Sequence, residues 1–138
     1  MSASEEETAR IGAVLAGELV PDGVLLLSGD LGSGKTVLAR GVAAGLGIAP
    51  REVQSPTFTL IREHRGAGGG RLVHVDLYRL EPAEAALLGL EELMAGPGVK
   101  VVEWAERLPF PVAGALALRL RRLSAERREI EEMEHQPG

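Results

Sequence analysis

The chain has 138 residues, 45% of them hydrophobic and 25% charged, with a formal net charge of −5 at neutral pH. That length and balance predict one globular domain, covering residues 1–138, that buries a core without staples. The absence of cysteine excludes disulfide partners, cysteine-ligated zinc and thiol nucleophiles. It also fits a reducing cytoplasm, while the acidic balance argues against a general attraction to nucleic acid.

With two Phe, one Tyr and one Trp, the core must be aliphatic. No run reaches the roughly 18 consecutive apolar residues of a membrane span, and the acidic N-terminus does not read as a secretory signal. In chain order, Ser4 and Glu7 form a capping-box pattern. Ile11, Val14, Leu15 and Leu19 follow at helical spacing, and Pro21-Asp22-Gly23 stops the helix. Val24–Ser28 is a short apolar run of the kind found in buried strands. After the glycine-rich segment Gly29–Thr36, the spacing of Val37, Leu38, Val42 and Leu46 predicts a second helix, with Gly47 as its C-cap.

Val53–Ile61 reads as extended, made irregular by Pro56. Gly66–Gly70 is a loop, Leu72–Leu77 a strand, and Pro82 suits the first turn of a helix running to about Met94. Gly96-Pro97-Gly98 breaks that helix, and Val99–Glu103 is a short buried strand. Leu116, Leu118 and Leu120 alternate with Ala117, Arg119 and Arg121, a half-buried strand. Arg127–Met133 reads equally as a last strand or a short charged helix. Strands alternating with helices predict a three-layer α/β fold with a mostly parallel central sheet, and the tail an antiparallel C-terminal addition.

The strongest chemical signal is Gly29-Asp30-Leu31-Gly32-Ser33-Gly34-Lys35-Thr36, a complete Walker A pattern between an apolar strand and an amphipathic helix. Its glycines let successive backbone N–H groups turn toward one anion, and the following helix adds its positive end. Lys35 is expected to reach the β- and γ-phosphates of a nucleotide, and the Thr36 hydroxyl to coordinate Mg²⁺. No guanine-selective N/T-K-x-D motif is present, so ATP is the expected nucleotide.

Such a loop needs a carboxylate from a neighbouring strand end for the metal. Asp76 closes the apolar run Leu72–Val75 and fits that Walker B place, or it is an aspartate in a strand-end turn. Glu103 closes Val99–Val102 at the end where ligands collect in an open α/β sheet. It either orients the attacking water, completes the metal shell, or is a solvated strand end. Trp104 is either a core or rim aromatic or a neighbour of the nucleotide. His74 is either a support behind the site or a packed strand histidine. Ser55, Thr57 and Thr59 offer hydroxyls on a segment that is either a γ-phosphate sensor or a plain edge strand.

Four stretches in order carry a resemblance: the Walker A loop, Ser55-Pro56-Thr57-Phe58-Thr59-Leu60, His74-Val75-Asp76-Leu77-Tyr78-Arg79-Leu80, and Val102-Glu103-Trp104. Together the chain resembles the TsaE (YjeE) family of bacterial ATPases. The resemblance implies a P-loop NTPase fold, ATP and Mg²⁺ as cofactors, and a role in threonylcarbamoyladenosine formation beside the tRNA anticodon. It also implies work with the TsaB–TsaD transferase pair, with tRNA engaged only indirectly. The switch-like role maps onto Ser55–Leu60 with Thr57 as sensor, the Walker B aspartate onto Asp76, and the acidic residue of the V-E-W motif onto Glu103. One departure is visible: many members follow the tryptophan with proline, whereas here Ala105 and Glu106 follow, a change that removes no chemical group. A small-molecule kinase or a non-hydrolysing nucleotide switch would use the same loop and stands as the alternative.

Overall fold

Successive strand residues point to opposite faces of a sheet, and this alternation divides the apolar side chains into two cores. In β1 (Val24–Gly29), Leu25 and Leu27 face one way and Val24 and Leu26 the other. In β3 (Arg71–Asp76) and β4 (Val99–Glu103) the same split puts Leu72, Val99 and Val101 on the first face, with Val73, Val75 and Val102 on the second. The structure is a computed structural model and describes residues 2–30, 33–53, 61–66, 69–78 and 89–133. The switch-like stretch Ser55–Leu60, including Thr57, lies outside the described residues, as do Leu31, Gly32 and most of the helix expected from Pro82.

The sheet has six strands in the order β2 (Ile61–Arg65), β3, β4, β1, β5 (Leu116–Arg122), β6 (Arg128–Glu132). The pairs β3–β4, β4–β1 and β1–β5 are parallel, and the outer pairs β2–β3 and β5–β6 are antiparallel. The mostly parallel sheet with an antiparallel C-terminal end is as expected. The first face is covered by α1 (Glu5–Leu19) and α2 (Lys35–Gly45), which supply Ala16, Leu19, Leu38, Ala39, Val42 and Ala43. These helices approach closely because Gly12 and Gly41 carry no side chain: a Cβ on Gly41 would stand 2.1 Å from the Ala9 carbonyl oxygen, and one on Gly12 2.4 Å from that of Leu38. The second face carries Leu90 and Met94 of α3 (Leu90–Ala95), with Leu108, Phe110 and Val112 of the segment before β5 packed against it.

The Ser4 cap forms as expected, Ser4 Oγ accepting from the Glu7 N–H at 3.1 Å, while the Glu7 carboxylate accepts from the N–H of Ala3, one residue before the cap, at 3.2 Å. The expected extended segment Val53–Ile61 lies mostly outside the described residues; from Ile61 the chain forms a strand to Arg65, closed by the glycine turn where Gly66 N–H donates to Gly70 at 2.7 Å and Arg65 stands opposite Arg71. The C-terminal segment is a strand and not a charged helix. Ile130 pairs with Leu120 and packs on the first core, an arrangement that an alternating pattern satisfies and a helix would not. No helix among the described residues is long and apolar enough to cross a membrane.

Candidate functional site

The site forms where β1 ends and α2 begins. Gly29 closes β1 with φ 138°, and Gly34 caps α2 with φ 101°, conformations that L side chains rarely adopt. Gly29 is also pressed against the sheet, since a Cβ there would stand 2.2 Å from the Leu120 carbonyl oxygen. Between them, Ser33 N–H turns back to the Asp30 carbonyl at 3.1 Å. Lys35 is the first residue of α2, so its side chain rises beside the loop. Nζ donates to the carbonyls of Gly29 (2.5 Å) and Asp30 (2.9 Å) and to Ser33 Oγ at 3.3 Å.

Lys35 also lies under the lone tryptophan, with Nζ 4.0 Å from the ring centroid of Trp104, within the range of a cation–π contact. Trp104 reaches this position because it follows β4 in the left-handed region (φ 60°), the one non-glycine residue with positive φ among the described residues. Its ring packs on Tyr78 with centroids 4.9 Å apart. Trp104 thus stands beside the Walker A lysine as a rim aromatic. Burial pushes the Lys35 ammonium below the usual lysine range, opposed by the carboxylates of Glu106, Glu103, Asp76 and Asp30.

Glu103 and Asp76 are brought together by register, as adjacent Cα partners at the carboxyl ends of β4 and β3. Both are almost fully buried. The Thr36 hydroxyl donates to Glu103 Oε1 at 2.8 Å. A hydroxyl has one proton to give, so this bond commits the Walker A threonine to Glu103 and leaves its lone pairs for another partner. Asp76 Oδ1 accepts from the Tyr78 N–H at 2.9 Å, so the carboxylate that stands beside Glu103 also holds the strand-end turn. The two readings open for Asp76 are compatible.

Two features were only partly legible in the sequence. Glu103 Oε2 lies 2.5 Å from Nε2 of the fully buried His74, so that histidine packs in the strand and also touches the site. Glu106 lies in the short 3₁₀ turn Ala105–Arg107 and turns its carboxylate to the Gly29 N–H at 3.4 Å. Where a proline was expected at the preceding position, the turn thus brings a further acidic group into the electrostatic field of Lys35. Only the left-handed Trp104 and the tight turn after it aim Glu106 there, and neither has a residue-level signature. A hollow of about 350 Å³ lies on the opposite face of the sheet, lined mainly by Leu26, Leu108, Phe110, Val112 and Ala117, and shares only Glu106 with this site.

Thr36, Asp76 and Glu103 offer oxygen donors alone, the set that suits a hard cation such as Mg²⁺. Among the described residues no group of three or more His, Cys, Asp or Glu forms a metal cage. That fits an ion shared with phosphate, since Mg²⁺ is usually held by one or two carboxylates together with substrate oxygens and water.

A family model described as threonylcarbamoyl adenosine biosynthesis protein TsaE matches residues 2–130. The chain is 45% identical over 129 residues to the tRNA threonylcarbamoyladenosine biosynthesis protein TsaE of Bacillus subtilis, covering 91% of this chain and 78% of that one. It is 39% identical over 132 residues to the protein of the same name from Treponema pallidum, covering 94% and 96%. The crystal structure of Bacillus subtilis YdiB superposes with a TM-score of 0.69 at 39% identity, covering 92% of this chain and 78% of that one. With a family model spanning nearly the whole chain and a P-loop fold shared with a solved relative, the chain belongs to the TsaE family.

Proposed function

We propose that this protein binds Mg-ATP at Gly29–Thr36 and hydrolyses it in support of threonylcarbamoyladenosine formation on tRNA, together with a TsaB–TsaD pair. The carrying observation is the meeting of two elements: a glycine-shaped loop holding Lys35 and Thr36 at a helix N-terminus, and the paired carboxylates Asp76 and Glu103 facing it. The relatives' name, tRNA threonylcarbamoyladenosine biosynthesis protein, supports the pathway.

Each part has a physical role. Backbone N–H groups of the loop and the α2 terminus receive the phosphates. Lys35 shifts from the loop carbonyls to phosphate oxygens, which are stronger, charged acceptors. An Mg²⁺ ion held by Thr36 and the neighbouring carboxylates would supply positive charge against the phosphates. Thr36 would offer that ion a lone pair while its hydroxyl goes on donating to Glu103, and Asp76 would supply the neighbouring oxygen. Thr57 senses the terminal phosphate, in keeping with the family resemblance. Trp104 roofs Lys35 and excludes water from one side of the loop.

The test is phosphate release and ATP affinity, each measured with protein alone, with TsaB–TsaD, and with tRNA. Slow release alone and stimulation by the protein pair support the proposal. Stimulation by tRNA alone defeats the partner assignment, transfer of phosphate to a small molecule without free phosphate favours a kinase, and ATP binding without release leaves a nucleotide switch.

A further inference from the structure

We propose that His74 is a positioning residue that holds the Glu103 carboxylate in register with Thr36. The proposal rests on the reading of this site as a Mg-ATP site. On β3, residues 72, 74 and 76 share a face, as do 99, 101 and 103 on β4, and the first core marks it as the α2 face. His74 pairs with Val101 and so lies one pleat behind the Asp76–Glu103 pair, diagonal to Glu103. From there its Nε2 meets Glu103 Oε2, while Glu103 Oε1 accepts a hydrogen bond from the Thr36 hydroxyl.

An ionised carboxylate only accepts hydrogen bonds. The proton in the His74–Glu103 bond therefore sits on Nε2, and the imidazole acts as donor. Its Nδ1 has no hydrogen-bond partner among the described residues, so the ring's polar contact is with Glu103. Held at both oxygens, Glu103 cannot swing about its terminal torsion. Without His74 one oxygen of a carboxylate that is 2% exposed would lack its donor, and the group would turn away from Thr36 to find another. A histidine retained for packing alone would fill the same space with its nitrogens in any arrangement.

The test compares His74→Gln, whose amide nitrogen occupies the place of Nε2, with His74→Asn, whose amide stops one bond short. Calorimetry of ATP binding across a magnesium series gives the readout, alongside phosphate release and melting temperature. The Asn variant is expected to need about 10- to 100-fold more magnesium for half-maximal nucleotide binding and to lose turnover by a similar factor. The Gln variant stays within a few-fold of wild type, and Asn adds nothing further in a Glu103→Gln background. Nitrogen-15 spectra of wild type should show the Nε2–H tautomer for His74, with the ring signals moving in Glu103→Gln. These spectra decide the matter by themselves if the Asn variant does not fold. Equal magnesium dependence of Asn and Gln variants, full additivity with Glu103→Gln, or an Nδ1–H tautomer overturns the proposal. A wild type that fails to bind Mg-ATP defeats the site reading and the proposal together. An unaffected Asn variant in a protein that binds Mg-ATP defeats the proposal alone.

Discussion

The two halves of the site are built in different ways. The Walker A half is one uninterrupted stretch of sequence, Gly29–Thr36, whose described ends are shaped by Gly29 and Gly34 and by the helix that follows. The carboxylate half is assembled from β3, β4 and the turn after β4, and its members meet only because β3 and β4 pair in one register, Asp76 opposite Glu103. A contiguous site depends on local backbone geometry. An assembled site depends on the whole sheet, because shifting β4 by one residue would turn Glu103 to the other face. The loop half should therefore fail through lost chemistry, and the carboxylate half through lost alignment.

The largest expected effect breaks the loop half alone. Lys35→Ala removes the ammonium that phosphate oxygens would take over from the loop carbonyls. ATP affinity measured by calorimetry should fall by more than about 100-fold, with little change in melting temperature, given the strength of charge-assisted bonds. Equal affinity in both proteins would move the site elsewhere.

Next, the carboxylates separate. Glu103→Gln keeps the shape but weakens the acceptor for Thr36, and should lower turnover about 100-fold while sparing nucleotide affinity at saturating magnesium more. Asp76→Asn should act chiefly on metal-dependent binding. If Asp76→Asn shows normal magnesium dependence, the Walker B role belongs to Glu103.

A smaller effect joins the halves. ATP drawing Lys35 toward phosphate changes what lies under the Trp104 ring, and the chain has one tryptophan. Its emission should change on adding ATP. Trp104→Leu should weaken ATP binding only several-fold, in line with a cation–π contact of about 1 kcal/mol. An unchanged spectrum at saturating ATP would leave Trp104 as a packing residue.

The smallest effect concerns the frame of the carboxylate half. Lys100 in β4 is fully buried, and its ammonium donates to the carbonyls of Asp22 (2.8 Å) and Gly96 (2.5 Å). Burial pushes it below the usual lysine range, with Asp22 opposing and Arg71 adding to the shift. A cation whose folded pKa is lowered makes the unfolded chain hold more protons between that value and the ordinary one, so stability rises with pH across that window. Wild type should therefore gain stability relative to Lys100→Met as pH rises from the lowered value toward 10.5, as read by denaturant midpoints. A difference independent of pH would contradict this account.

By itself the sequence determined the local features. It carried the Walker A loop, the capping box at Ser4, the strands Val24–Ser28 and Val99–Glu103, the alternation in Leu116–Arg121, and the acidic residues that end the strands, because each depends on neighbours in the chain. Only the tertiary structure decided relations across the sheet. It brought Glu103 to Thr36, set His74 Nε2 against Glu103, let Asp76 hold a turn while standing beside Glu103, and turned Glu106 toward Gly29. It also chose a strand for Arg128–Glu132, where β5 offered an open edge to pair with. For the contacts of Glu103 and Glu106 the physical reason is distance along the chain: their partners lie 29 to 77 positions away, and their meeting is set by strand order and register, which no short pattern encodes.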